Sequence, residues 1–182
     1  VGLEAARAAG LTHVLVMDGD GQHEVGAVRA FLEESAEHPD AMVLGTPIFG
    51  EEAPVERVKG RRIGNFFAHV ETLGGGIGDS LFGFRVYPVE ESIAVLRSIS
   101  TARRFDFDTE LAVRLYWRGV RPINRAVPVF YPKREAGGVT HFRYFRDNLV
   151  LIGAHARLLI GAAIRLPKLA WLRFGRGRGA RC

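Results

Sequence analysis

Cysteine is all but missing from this 182-residue chain: the single one, Cys182, is the last residue. No disulfide and no cysteine-based zinc site can be built within the chain, a usage compatible with a reducing compartment. Acidic residues stop at Asp147, while Arg157, Arg165, Lys168, Arg173, Arg176, Arg178 and Arg181 follow it. The net charge of +5 therefore belongs to the tail, since the part up to Asp147 holds 18 basic residues against 20 acidic ones. A nucleic-acid binder more often spreads Arg and Lys over a folded face, so nucleic acid is not the expected partner, and a basic tail suits anionic lipid at least as well. Long apolar runs are also lacking. From Leu149 onward, His155, Arg157, Arg165 and Lys168 interrupt the apolar residues before they reach the roughly 18 of a membrane span.

What the chain has instead is a succession of short apolar runs and amphipathic stretches. A length of 182 residues with 47% hydrophobic and 25% charged content is that of one folded domain. Val1 to Ala9 reads as an Ala-rich helix stopped at Gly10, and His13-Val14-Leu15-Val16-Met17 as a buried strand. Glu24 to His38 has helical spacing, and Ala41 to Gly45 reads as a second buried strand, which implies a parallel crossover. Thr46 to Pro54 reads as a loop, Arg57 to Leu73 as a helix, and Gly74-Gly75-Gly76 as its end, where the backbone is free to approach something closely. Ile77 to Pro88 is a glycine-punctuated strand, with Pro88 opening the next helix. Leu111 to Arg118 is a helix stopped by Gly119, Val120 to Tyr131 a bent strand, and His141 to Ile152 the start of the last helical region.

The chemistry concentrates at Asp18-Gly19-Asp20-Gly21-Gln22-His23, directly after the first strand. Two carboxylates at the carboxyl edge of an open sheet lie where α/β folds bind ligands, and their mutual repulsion is relieved by a hard divalent cation such as Mg²⁺ or Mn²⁺. An EF-hand loop starting at Asp18 would need Gly and Glu where His23 and Arg29 stand, so it is excluded. A phosphatase of the haloacid-dehalogenase type and a plain surface turn remain as alternatives. A second acidic cluster, Asp106-Phe107-Asp108-Thr109-Glu110, leads into a helix, and helix capping is its bland alternative. Asp79, Arg85, and the basic group Arg134, His141 and Arg143 beside Gly137-Gly138 complete the candidates. A buried Arg85 would need an anionic partner.

Taken together and in order, these segments resemble family 2 glycosyltransferases of the GT-A fold, and within them the dolichyl- or polyprenyl-phosphate sugar transferase branch. The resemblance rests on the strand with Asp-Gly-Asp-Gly-Gln-His at 18–23, Asp79 with Gly83-Phe84-Arg85, Phe105 to Glu110 followed by Arg118-Gly119 and Val127-Pro128-Val129, and Gly138 to Phe142. It implies a Rossmann-like mixed sheet with flanking helices, lacking its first strands, over residues 1–147. Residues that grip the nucleotide in such proteins would precede Val1, so the chain is expected to be incomplete at its N-terminus. Relatives often carry Ser-Arg where Thr46-Pro47 stands, which leaves Arg61 or Arg62 to face phosphate.

The resemblance further implies a metal-dependent, inverting transfer of a sugar from a nucleotide-sugar donor to a lipid-linked or lipid-like acceptor. Asp18, Asp20 and Gln22 would hold the Mg²⁺ or Mn²⁺; Asp18, Asp20, Arg85 and Arg62 would bind donor and phosphate. Asp108 would be the base, or would position an acceptor that is already anionic; Asp79 would orient Arg85 or the acceptor. Arg134, His141 and Arg143 would clamp the acceptor or diphosphate. Residues 148–182 form an amphipathic basic helical tail, kinked at Pro167, expected either at a membrane interface or docked on the domain. The enzyme would then be cytoplasmic and peripheral at the inner face of the cell membrane. The competing expectation is a non-catalytic remnant that acts as a membrane-surface binding module.

Overall fold

The computed structural model describes residues 2–19, 23–50, 55–99, 106–129 and 144–175, and within them the chain is α/β. In order come α1 (Gly2–Ala8), β1 (His13–Val16), a 3-10 turn at Val25–Ala27, α2 (Val28–Glu37), β2 (Ala41–Phe49) and α3 (Val55–Glu71). These are followed by β3 (Arg85–Pro88), α4 (Val89–Arg97), α5 (Phe107–Arg118), β4 (Arg121–Val129), α6 (Tyr144–Ile164), α7 (Leu166–Ala170) and a π-helical turn at Trp171–Gly175. The four strands form one mixed sheet in the order β1-β3-β2-β4, in which β3 runs antiparallel to both neighbours and β2 and β4 are parallel.

Each strand divides the core by its period of two. Met42 and Leu44 of β2 and Tyr87 of β3 join the larger cluster with Leu111, Leu115, Trp117 and Leu158, under α3, α5 and α6. Val43 and Val86 point the other way, to Phe31 of α2, Phe82, Phe84, Val127 and Val129. Ala41 to Leu44 have no exposed surface, because β2 is covered on both faces and paired on both edges. The helix stops follow backbone chemistry: Gly10 and Gly119 take φ of +73° and +101° after α1 and α5. Gly75 meets the expectation of close approach, since a Cβ there would overlap the Tyr116 ring.

Several boundaries depart from expectation. β1 and β2 do run the same way but are not neighbours, because β3 inserts between them. β1 is consequently an edge strand with all four residues half-buried rather than buried. The loop expected from Thr46 is the second half of β2, held in continuous parallel register with β4 from Ala41↔Arg121 to Phe49↔Val129. Pro47 is accommodated because β3 pairs with β2 only at Val43 and Leu44, and Pro128 because β4 is the outermost strand of the sheet. Only the last four residues of the Ile77–Pro88 stretch are strand; the remainder is a loop anchored by its side chains. α5 begins four residues earlier than expected, so its acids lie in the first turn, and Asp106 at the N-cap makes no capping hydrogen bond.

α6 runs across the expected boundary at 147/148 without a break and packs on α3 and α5. At Arg165, just before Pro167, the axis bends by 82° into the last turns. No single helix among the described residues is long and apolar enough to cross a membrane, although α6 from Leu149 and the segment Leu166–Gly175 together pass that test as a bent pair.

Candidate active site

The carboxyl end of β1, the loop entering β3 and the first turn of α5 meet at one edge of the sheet. β1 delivers Asp18 there, and because β3 is antiparallel its amino end, with Phe82-Gly83-Phe84 before it, arrives at the same edge. A Cβ on Gly83 would overlap the Asp18 carboxyl group, so glycine lets that carboxylate lie on the backbone just before β3. His23 Nε2 stands 3.6 Å from Asp18 Oδ2, and its ring packs edge-on against Phe82, with centroids 4.8 Å apart. The His23 side chain is buried, and neither ring nitrogen has a hydrogen-bond partner among the described residues. The imidazole beside Asp18 is the largest influence holding its carboxyl below the usual carboxylate range; partial burial opposes this, and Arg85 and Arg61 add to it.

Arg85 is the structural centre of the site. Its side chain is fully buried, yet every nitrogen has a partner. Nε donates to Phe82 O at 2.6 Å, Nη1 to Tyr87 Oη and Asp108 O at 2.8 Å each, and Nη2 to Asp79 O at 3.2 Å. Burial works against its charge, but Tyr87, Asp108 and Asp79 outweigh that and hold its pKa above the ordinary guanidinium value. One side chain thus ties the loop before β3 to the first turn of α5. The expectation that Arg85 contacts donor phosphate is corrected by this geometry, because its donors are turned inward and already engaged.

Asp79 is likewise a framework residue. Its buried carboxylate accepts from Arg61 Nη1 at 2.6 Å, Asn65 Nδ2 at 3.1 Å and Leu81 N at 2.9 Å, while Asn65 Oδ1 accepts from Ser80 N at 2.8 Å. It orients Arg61 with its side chain and Arg85 only through its carbonyl. Of the two arginines considered for phosphate, Arg62 lies exposed on the outer face of α3, away from this cluster, whereas Arg61 enters it. The Arg61 guanidinium lies 5.5 Å from the Phe49 ring centroid and 6.0 Å from that of Phe82. Arg61 is the cation whose charge reaches Asp18 from α3, and the adjacent Arg61-Arg62 pair in that helix was its sequence signal.

Asp108 sits in the first turn of α5, with Oδ1 buried, 3.9 Å from Arg85 Nε and without a hydrogen-bond partner among the described residues. Burial is the largest influence on its carboxyl group and raises its pKa, Arg85 opposes, and the charges of Asp18 and Asp79 raise it further. Asp18 and Asp108 are therefore within electrostatic reach of one another, one firmly ionised and the other holding its proton more tightly.

Asp20 and Gln22, and the group Arg134, His141 and Arg143, lie outside the described residues. Among the described residues, three ligand atoms come close enough together for a metal at Glu34, Glu37 and His38, on the surface of α2 and its end. Glu34 there already binds Arg125. At the acidic edge Asp18 and Asp108 supply carboxylate oxygens, the donor type a hard cation takes, but with His23 they do not come close enough together to form a three-ligand group among the described residues.

A second buried acid cluster escaped sequence reasoning. Glu71 at the end of α3 and Glu110 in α5 have no exposed surface. His155 Nδ1 lies 2.8 Å from Glu71 Oε1, and Arg157 Nη2 lies 3.0 Å from Glu110 Oε1 and 3.5 Å from Asp106 Oδ2. Burial raises the Glu71 pKa, His155 lowers it less, and Glu110 adds to the rise. The only advance signal was His155 and Arg157 breaking an otherwise apolar stretch. Compared with known proteins, the chain matches no family model, no curated protein and no solved structure.

Proposed function

We propose that the chain carries the acidic half of a metal-dependent glycosyltransferase site of the GT-A type, which moves a sugar from a nucleotide-sugar donor to a lipid-linked or lipid-like acceptor. The observation that carries the reading is the meeting of Asp18, at the carboxyl end of β1, with Asp108, in the first turn of α5, across a buried arginine frame. It brings residues of three separated motifs to one edge of the sheet, which supports the reading.

Asp18, with Asp20 and Gln22 from the same loop, would hold Mg²⁺ or Mn²⁺, which when bound neutralises charge developing on a departing diphosphate. Arg61, fixed by Asp79 and partly exposed, takes the phosphate-facing part expected of Arg62. Asp108, raised in pKa by burial, is well matched to accept a proton from an acceptor hydroxyl once ionised. Where the acceptor is an anionic lipid phosphate, no base is required and Asp108 orients it. Arg134, His141 and Arg143 remain the proposed acceptor or diphosphate clamp.

A specific observation also favours a membrane-surface role. α6 docks by one side, through Leu158, Ala162 and the His155 and Arg157 contacts. Its opposite side exposes Leu149, Ile152, Ile160 and Ile164, continued by Trp171 and Phe174. Apolar residues flanked by Arg and Lys, with no acid, suit an anionic bilayer surface. Both arrangements expected for the tail are thus served by the two sides of one helix. That surface would also serve the alternative of a binding module without catalysis.

The test is transfer of isotopic sugar from a panel of nucleotide donors into polyprenyl phosphate with Mn²⁺. Asp20→Ala and Asp18→Asn should abolish it. Retention of transfer in either would remove the metal-holding role, and failure of the unmodified chain to bind any donor would favour the binding module. Pelleting with anionic vesicles should be lost on removal of the residues after Pro167.

A further inference from the structure

The first turn of α5 is gripped from two directions. From the sheet side, Arg85 donates to Asp108 O and Thr109 Oγ1 donates to Ser80 O at 3.0 Å. From the other side, Arg157 of α6 reaches Glu110 Oε1 with Nε at 3.1 Å and Nη2 at 3.0 Å, and Asp106 Oδ2 with Nη2 at 3.5 Å. Asp106 and Glu110 are one helical turn apart, linked by Glu110 N donating to Asp106 O at 2.9 Å, and both carboxylates are buried. Two buried like charges on one turn repel, and an arginine shared between them offsets that repulsion. Arg114 Nε approaches Glu110 Oε2 only to 3.7 Å, so it is the weaker neighbour.

Asp108 lies between these two acids in the chain and in the same turn. We infer that Arg157 is a positioning residue for Asp108: by clamping Asp106 and Glu110 from α6, it fixes the turn that presents the Asp108 carboxyl group to the acidic edge. The seat of the tail helix and the geometry of the proposed site are thereby one structural unit. The inference rests on the reading of Asp108 as a site residue, and it gives α6 a part in the site that its apolar composition does not reveal.

The experiment uses two readouts. In the chain labelled with ¹³C at aspartate carboxyl carbons, the Asp108 resonance, assigned by its loss in Asp108→Asn, should shift in Arg157→Ala. It should return towards its original place in Arg157→Lys and stay unmoved in the exposed control Arg118→Ala. In the transfer assay, Arg157→Ala should lower kcat about tenfold or more with the donor KM changed less than about twofold, and Arg157→Lys should recover part of kcat. An Asp108 resonance that does not move in folded Arg157→Ala overturns the inference, whatever the activity. A resonance that moves in a chain showing no transfer with any donor sustains the positioning role and overturns the sugar-transfer reading. Should Arg157→Ala not fold, Arg157→Lys and Arg157→Gln carry the same comparison.

Discussion

The described residues hold two acid clusters, on opposite sides of the same helical turn, and they differ in what they leave open. Around Arg85, the carboxylate of Asp79 is covered, but Asp18 keeps 59% of its side chain exposed, Asp108 21% and Arg61 20%. On the other side, both Glu71 and Glu110 are sealed, and the openings among the described residues are at cations, Arg157 at 40% and Arg114 at 21%. Both obey the same rule that a buried charge needs a partner. The first directs the ionised group outward, where a ligand can meet it; the second turns its acids inward against α6. Burial of carboxylates alone thus does not mark a functional site; the direction of the remaining open group does.

The sharpest way to break the comparison is at Arg85. Arg85→Met should strand four buried acceptors and cost about 3–5 kcal/mol of stability, against a smaller loss for Arg157→Ala, whose side chain is partly solvated. Urea unfolding of the two variants under one condition decides it, and equal losses would erase the distinction between frame and clamp. Next in size is Gly83→Ala. Its added methyl group must displace either the β3 backbone or the Asp18 carboxylate, with an expected loss of about 1–3 kcal/mol and weakened Mn²⁺ binding. Gly26→Ala, where a Cβ meets nothing closer than 3.5 Å, is the control that should leave Mn²⁺ titration unchanged.

Much of the first cluster was legible in the chain. Asp18, Asp79 and Asp108 each stand beside a glycine-bearing or helix-starting segment, and a strand that ends in acids places them at a sheet edge. What was not legible is which polar atoms each acid meets. Arg85, an arginine between Phe84 and Val86, was expected to meet a phosphate or one of the acids; its hydrogen bonds go to carbonyls and a phenol, with the Asp108 carboxylate 3.9 Å away, which sequence spacing does not record. β1 reads as a buried strand from its apolar residues, yet its burial is decided by β3, seventy residues later, being its only described neighbour. The second cluster was hidden because Glu71, Glu110 and His155 come from three helices, and no local pattern announces a contact between residues 84 positions apart.

A smaller effect tests the sealed cluster through pH. Burial raises the Glu71 pKa in the folded chain above its unfolded value, so between the two values the folded state binds more protons than the unfolded one. The sign follows: stability falls as pH rises from the ordinary glutamate range towards the folded pKa of Glu71. Glu71→Gln, which keeps the shape beside His155 and carries no charge, should flatten that decline. Chemical denaturation at a series of pH values measures it, and an unchanged slope would mean that His155 compensates Glu71 fully.

The smallest stability effect is expected at the open cluster, in Asp18→Asn. Here the folded pKa is depressed, so the ionised carboxylate contributes stability above its unfolded pKa that is lost as pH falls through the folded one. With more than half of the side chain in solvent, that contribution is screened, and the change in unfolding free energy at neutral pH should stay within about 0.5 kcal/mol. The same variant removes one of the charges that add to the effect of burial on Asp108, so the Asp108 pKa should fall, which the carboxyl-carbon resonance reports on titration. A variant that leaves the fold intact but shifts the titration of a residue ninety positions away is what a shared site requires. An Asp108 titration unmoved by Asp18→Asn would instead make the two carboxylates independent, and the open cluster would be only another piece of framework.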